Sequence, residues 1–136
     1  MIRIAESAGF CFGVKRACKM IEAAADSNEK VYCLGEPIHN RNYTSALEKK
    51  GVMILPDDGS VLPTDGRLFV RTHGIPLEVL QKLRQNNCSF TDATCPFVLR
   101  IHDIVMQESQ KKRFAVIMGD SEHPEVKGIV SYASSG

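Results

Sequence analysis

Short apolar runs alternate with longer amphipathic stretches along this 136-residue chain. Ile2–Ala5 precedes Val14–Ala25, Val31–Leu34 precedes Asn40–Lys50, and Val52–Leu55 follows. Leu68–Val70 then leads into Pro76–Gln85, Ser89–Phe90 into Pro96–Gln110, and Phe114–Met118 into Pro124–Tyr132. Short apolar runs suit strands covered on both faces, and a repeated strand-then-helix order needs parallel pairing, so the pattern predicts an α/β fold with a parallel sheet flanked by helices. On the first helix Val14, Ala17, Cys18, Ile21 and Ala25 recur at helical spacing and form the predicted buried face.

A cysteine or histidine falls at five successive predicted strand-to-helix junctions: Cys11, His39, His73, Cys95 and His123. In an open α/β sheet these junctions lie at the carboxyl ends of the strands, where ligands bind. Cys11 sits in Ala8-Gly9-Phe10-Cys11-Phe12-Gly13, whose glycines allow a sharp turn and a close approach to the sulfur. Cys95 sits in Asp92-Ala93-Thr94-Cys95-Pro96, where Pro96 suits the first helical position and Cys95 the cap. Helix N-termini favour negative charge, which suits a thiolate ligand of iron or zinc. Two small apolar fillers remain the alternative reading of this pair.

The histidines occur in Glu36-Pro37-Ile38-His39-Asn40, Arg71-Thr72-His73-Gly74 and Glu122-His123-Pro124-Glu125. Imidazole N–H groups beside helix N-termini make a cradle for phosphate or diphosphate, and Glu125 is placed to give a proton in the same crevice. Glu125 also suits a first-turn partner of the helix dipole. Cys18 on the helical stripe and Cys33 within Val31–Leu34 read as core, Cys88 as structural, and His102 as a surface or packed imidazole rather than a ligand.

With 17 basic and 16 acidic residues the formal charge is +1, so no global field steers the chain to nucleic acid or anionic lipid. Neither a glycine-rich nucleotide fingerprint nor a close Cys-x-x-Cys pair is present. The N-terminal residues lack a basic segment before a long apolar one, and no stretch approaches the roughly 18 apolar residues of a membrane span. The reading is cytoplasmic, with five reduced cysteines. The Gly-, Pro- and Asp-rich stretch from Pro56 to Gly66 reads as a surface loop, and Lys111-Lys112-Arg113 as the cationic end of a helix. Residues 1–95 are predicted as a first α/β domain, and 96–136 as a linking helix and the truncated start of a second, so the chain reads as part of a longer protein.

Gly9-Phe10-Cys11-Phe12-Gly13-Val14, Ile38-His39-Asn40, Thr72-His73-Gly74, Asp92-Ala93-Thr94-Cys95-Pro96 and His123-Pro124-Glu125-Val126 together resemble the 4-hydroxy-3-methylbut-2-enyl diphosphate reductase (IspH/LytB) family. The resemblance spans nearly the whole chain and covers the N-terminal portion of the family's sequence. It implies an iron-sulfur reductase of isoprenoid biosynthesis, in which an allylic alcohol diphosphate takes up electrons and protons, loses water and gives isopentenyl and dimethylallyl diphosphates. By this resemblance Cys11 and Cys95 match two of three cysteines that hold a 4Fe-4S cluster, and the third lies downstream of this chain. His39, His73 and His123 match diphosphate-binding histidines, and Glu125 matches a proton-relaying glutamate. The family further implies three similar α/β domains, of which this chain holds the first and the opening of the second, and a ferredoxin or flavodoxin type electron donor. It implies no nucleic acid and no membrane partner, and with one ligand missing the chain alone is expected to be inactive. The other readings are a zinc-binding Cys/His protein built on Cys11, Cys95 and two histidines, a cysteine hydrolase using Cys95, and a cofactor-free folding module.

Overall fold

The computed structural model describes residues 2–133. Strands β1 (Val31–Leu34), β2 (Met53–Leu55), β3 (Arg67–Val70) and β4 (Phe90–Asp92) form one parallel sheet in the order β2-β1-β3-β4. Helices α1 (Phe12–Ala25), α2 (Arg41–Lys49), α3 (Leu77–Gln85), α4 (Pro96–Gln110) and α5 (Pro124–Ala133) accompany it. The α/β class with a parallel, helix-flanked sheet is as the alternation predicts. Leu34 pairs with Leu55 and Val70, and Val70 with Asp92, so the four strands end level with one another.

The period-2 alternation of a strand sorts these short runs onto two faces. Val31, Cys33 and Phe69 pack with Ala17, Ile21 and Ala24 of α1 and Leu47 of α2. Leu34, Leu68 and Val70 face the other way, against Ile75, Val79 and Leu83 around α3. Ala24 rather than the expected Ala25 closes the α1 stripe. Cys18 and Cys33 are core residues, as expected. A third, smaller cluster of Val105, Ile129 and Tyr132 joins α4 to α5.

Two expected strands are corrected. Ile2–Ala5 and Phe114–Met118 belong to no strand, with Ile2, Ile4, Phe114, Val116 and Met118 all exposed. An apolar run becomes a strand only when a neighbour takes its backbone N–H and C=O groups, and neither run lies against the edge strands β2 and β4. Consequently Cys11 and His123 precede helices but do not end strands, while His39, His73 and Cys95 do follow sheet strands. Elsewhere the elements fall close to their expected bounds. The 56–66 stretch is the expected loop and crosses from β2 to β3 without a helix.

Candidate functional site

Strands β1 and β3 are neighbours, yet the chain leaves β1 for α2 on one face and β3 for α3 on the other. Connections that diverge this way open a crevice at the strand ends. His39 follows β1, His73 follows β3, and their rings meet there with centroids 4.7 Å apart. Asn40 begins α2 by accepting the Tyr43 N–H at 3.1 Å on its side-chain oxygen, which fixes the backbone just after His39.

Thr72 joins three of the site's connections. Its buried hydroxyl donates to the Pro37 carbonyl at 2.9 Å, across the crevice to the His39 loop. Its own carbonyl accepts the Cys95 N–H at 2.9 Å. One residue beside His73 therefore holds both the His39 loop and the Cys95 loop. Next to it Arg71 is buried, pairs with Asp57 at 2.8 Å, and reaches so close to Gly35 that a Cβ there would fall 2.7 Å from its guanidinium.

His123 comes from the turn that opens α5 and completes a triangle, 5.9 Å from the His39 ring and 5.8 Å from that of His73. Its Nδ1 accepts the Glu125 N–H at 3.2 Å, so the neutral ring carries its proton on Nε2. The imidazole thereby takes the place of an N-capping side chain. Burial, aided by His39, Arg71 and His123, pushes the His73 pKa down to about 4. His73 is consequently poised to be charged by an anion rather than before one arrives.

Cys11 is exposed at the N-cap of α1, and Cys95 is half-buried at the N-cap of α4. A Cβ added at Gly13, in the first turn of α1, would fall 2.5 Å from the Cys95 sulfur. Gly13 thus serves close approach rather than a turn, and it brings the Cys95 thiol against the helix that Cys11 begins. Arg16 of α1 reinforces this by donating to the Thr94 carbonyl at 3.2 Å. Two soft donors at adjoining helix starts fit part of a metal-cluster ligand set. Among the described residues no three Cys, His, Asp or Glu side chains form a group able to hold a metal by themselves, whether a zinc ion or a cluster.

Cys88 is half-buried and away from the crevice, and His102 is a packed imidazole, stacked on Tyr132. Sequence reasoning placed the three histidines in one crevice. It missed Thr72, Arg71 and Arg16, of which the first two adjoin His73 in the motif already singled out.

The family model described as "LytB protein" matches residues 2–136. The 4-hydroxy-3-methylbut-2-enyl diphosphate reductase of Geobacter metallireducens is 44% identical over 132 residues, 97% of this chain and 46% of that protein. That of Helicobacter pylori is 39% identical over 98% of this chain and 47% of its own length. A solved structure of (E)-4-hydroxy-3-methyl-but-2-enyl diphosphate reductase, the terminal enzyme of the non-mevalonate pathway, superposes with a TM-score of 0.77 at 42% identity, over 96% of this chain and 46% of the other. The Plasmodium falciparum reductase superposes with a TM-score of 0.84 at 28% identity, over 94% of this chain and 40% of that one. The chain spans about half the length of the curated relatives it matches.

Proposed function

The chain belongs to the LytB family, and from that premise we propose that it carries the diphosphate pocket and two cluster-ligating cysteines of a 4-hydroxy-3-methylbut-2-enyl diphosphate reductase. The observation that carries the reading is the convergence of His39, His73 and His123, from three separate connections, with ring centroids 4.7 to 5.9 Å apart. Their N–H groups bind and orient the diphosphate of an allylic alcohol. His123, with its proton on Nε2, donates from a position set by the Glu125 amide. Glu125 delivers a proton to the departing hydroxyl. In the reaction the allylic C–O bond breaks, oxygen leaves as water, and a C–H bond forms, consuming two electrons and two protons.

Cys11 and Cys95 would hold a 4Fe-4S cluster. When bound, that group supplies the electrons and a Lewis-acidic iron for the substrate hydroxyl. The third cysteine is not Cys18 or Cys33, which are buried in the sheet core, nor Cys88, away from the crevice. The chain alone is therefore proposed to be inactive, and product formed by it alone would overturn that point. A ferredoxin or flavodoxin type carrier as electron donor and a cytoplasmic setting belong to the same proposal. So do the divisions 1–95 and 96–136, although Met1 and residues 134–136 lie outside the described residues. Among the described residues no helix is long and apolar enough to cross a membrane.

Titration of the chain with inorganic pyrophosphate, followed through the imidazole Cε1–H NMR signals, tests the pocket. Signals of His39, His73 and His123 should move together while that of His102 responds least, and three unmoved signals would remove the diphosphate reading. Anaerobic reconstitution with iron and sulfide tests the cysteines. Iron and sulfide retained by the parent chain but lost in Cys11→Ala and Cys95→Ala support them, and equal retention in all three chains counts against them.

A further inference from the structure

His102 is an imidazole that none of the roles above uses. It is only 3% exposed, and neither ring nitrogen has a hydrogen-bond partner. Its ring lies on that of Tyr132, centroids 4.2 Å apart and planes 15° from parallel. Two backbones close around it. A Cβ added at Gly74 would fall 2.8 Å from its Cε1, and one at Gly128 would fall 3.5 Å from its Nε2. Gly74 directly follows His73 and holds φ at +75°, a conformation open to glycine. Gly128 belongs to α5, the helix begun by His123 and Glu125, and His102 itself lies on α4, the helix begun by Cys95. The ring fills the point where the three elements bearing those residues meet.

We infer that His102 is a positioning residue for the histidine cluster, its flat ring acting as the spacer that sets the His73 loop against the start of α5. The inference rests on the reading of that cluster as a diphosphate site. Burial lowers the His102 pKa against the opposing pull of Asp92 and Asp103, so the ring is a neutral plate. As a contributor to stability it is a poor choice, because two buried, unpartnered ring nitrogens carry a desolvation cost that an aliphatic side chain avoids. What an aliphatic side chain cannot reproduce is a plate parallel to Tyr132 and thin enough to lie against two glycine backbones.

His102→Leu separates these contributions. It should fold with a melting temperature at or above the parent's, yet displace the Cε1–H signals of His73 and His123 and weaken pyrophosphate binding by about tenfold, the scale of loss that a small misplacement of binding groups produces. Tyr132→Leu should act in the same direction. Tyr132→Phe keeps the stacking ring while giving up the hydroxyl's bond to the Ile75 carbonyl at 3.5 Å, so it should be impaired clearly less than Tyr132→Leu. A folded His102→Leu chain with unmoved His73 and His123 signals and unchanged affinity would overturn the inference. So would a Tyr132→Phe chain as impaired as Tyr132→Leu. If His102→Leu does not fold, the Tyr132 pair decides by the same criteria. If the parent chain binds no pyrophosphate, the diphosphate reading fails, while the His73 and His123 signals still decide the positioning role.

Discussion

Thr72 makes two bonds across the crevice with one residue, and its side-chain bond can be removed without changing shape. Thr72→Val leaves the buried Pro37 carbonyl without its donor, and should lower stability by about 1–3 kcal/mol. The same change frees the His39 loop from the His73 loop, so pyrophosphate affinity should fall and Thr72→Ser should restore both properties. Chemical denaturation beside the NMR titration checks this, and a Val variant indistinguishable from the parent would remove Thr72 from the site. His73 gives a pH dependence. Its pKa is about 4 in the fold against an ordinary 6.5, so the unfolded chain takes up this proton first as pH falls. Stability should therefore decline from about pH 6.5 toward pH 4, and His73→Gln should flatten that part of the profile, measurable by urea unfolding at several pH values. Bound pyrophosphate favours the charged ring, so binding should take up protons, with calorimetric enthalpies that depend on buffer ionisation. Cysteine and histidine were legible in the sequence because their chemistry is unusual wherever they stand. Thr72 and Arg71 were not, because their roles arise only when separate connections fold against each other.

At the scale of elements, α1 illustrates a local preference giving way to packing. Glycine in a helix costs roughly 0.5–1 kcal/mol relative to alanine, so Gly13→Ala should favour α1 in isolation. In the fold, however, the new methyl group would fall 2.5 Å from the Cys95 sulfur, and either the thiol or the helix must move. The expected result is unchanged helical content by circular dichroism with less iron retained after reconstitution, and equal iron in the variant and the parent would contradict it. Helix positions were legible because amphipathic spacing is a property of each helix alone, as the Pro96–Gln110 span shows. Strands at Ile2–Ala5 and Phe114–Met118 were over-read, because strand formation also depends on a neighbour that the run itself does not specify. Leu34, by contrast, ends a paired strand and is fully buried, so Leu34→Ala should cost about 2–5 kcal/mol in urea unfolding.

Across the molecule, apolar surface is unevenly distributed. The two sheet faces are covered, but Phe114 and Val116 lie open beside exposed Ile101 and Ile104 on α4. Contiguous apolar surface of this kind favours association. The chain is expected to self-associate with rising concentration in sedimentation experiments, and a Phe114→Ser, Val116→Ser double variant should do so less; equal behaviour would place the contact elsewhere. The parallel α/β architecture was visible from the alternation of runs. The strand order was not, since the helix-free passage from β2 to β3 leaves no periodic signature.

The crevice also draws on sequence-distant parts: His39 after β1, His73 after β3, and His123 ahead of α5. No partly unfolded form that releases one of these segments retains the whole pocket. A ligand of the pocket therefore binds the native state selectively, and at a free concentration one hundred times its dissociation constant stabilises it by about 2.7 kcal/mol. That stabilisation should appear as slowed amide hydrogen exchange through the strands of both sheet faces, far from any atom the ligand touches.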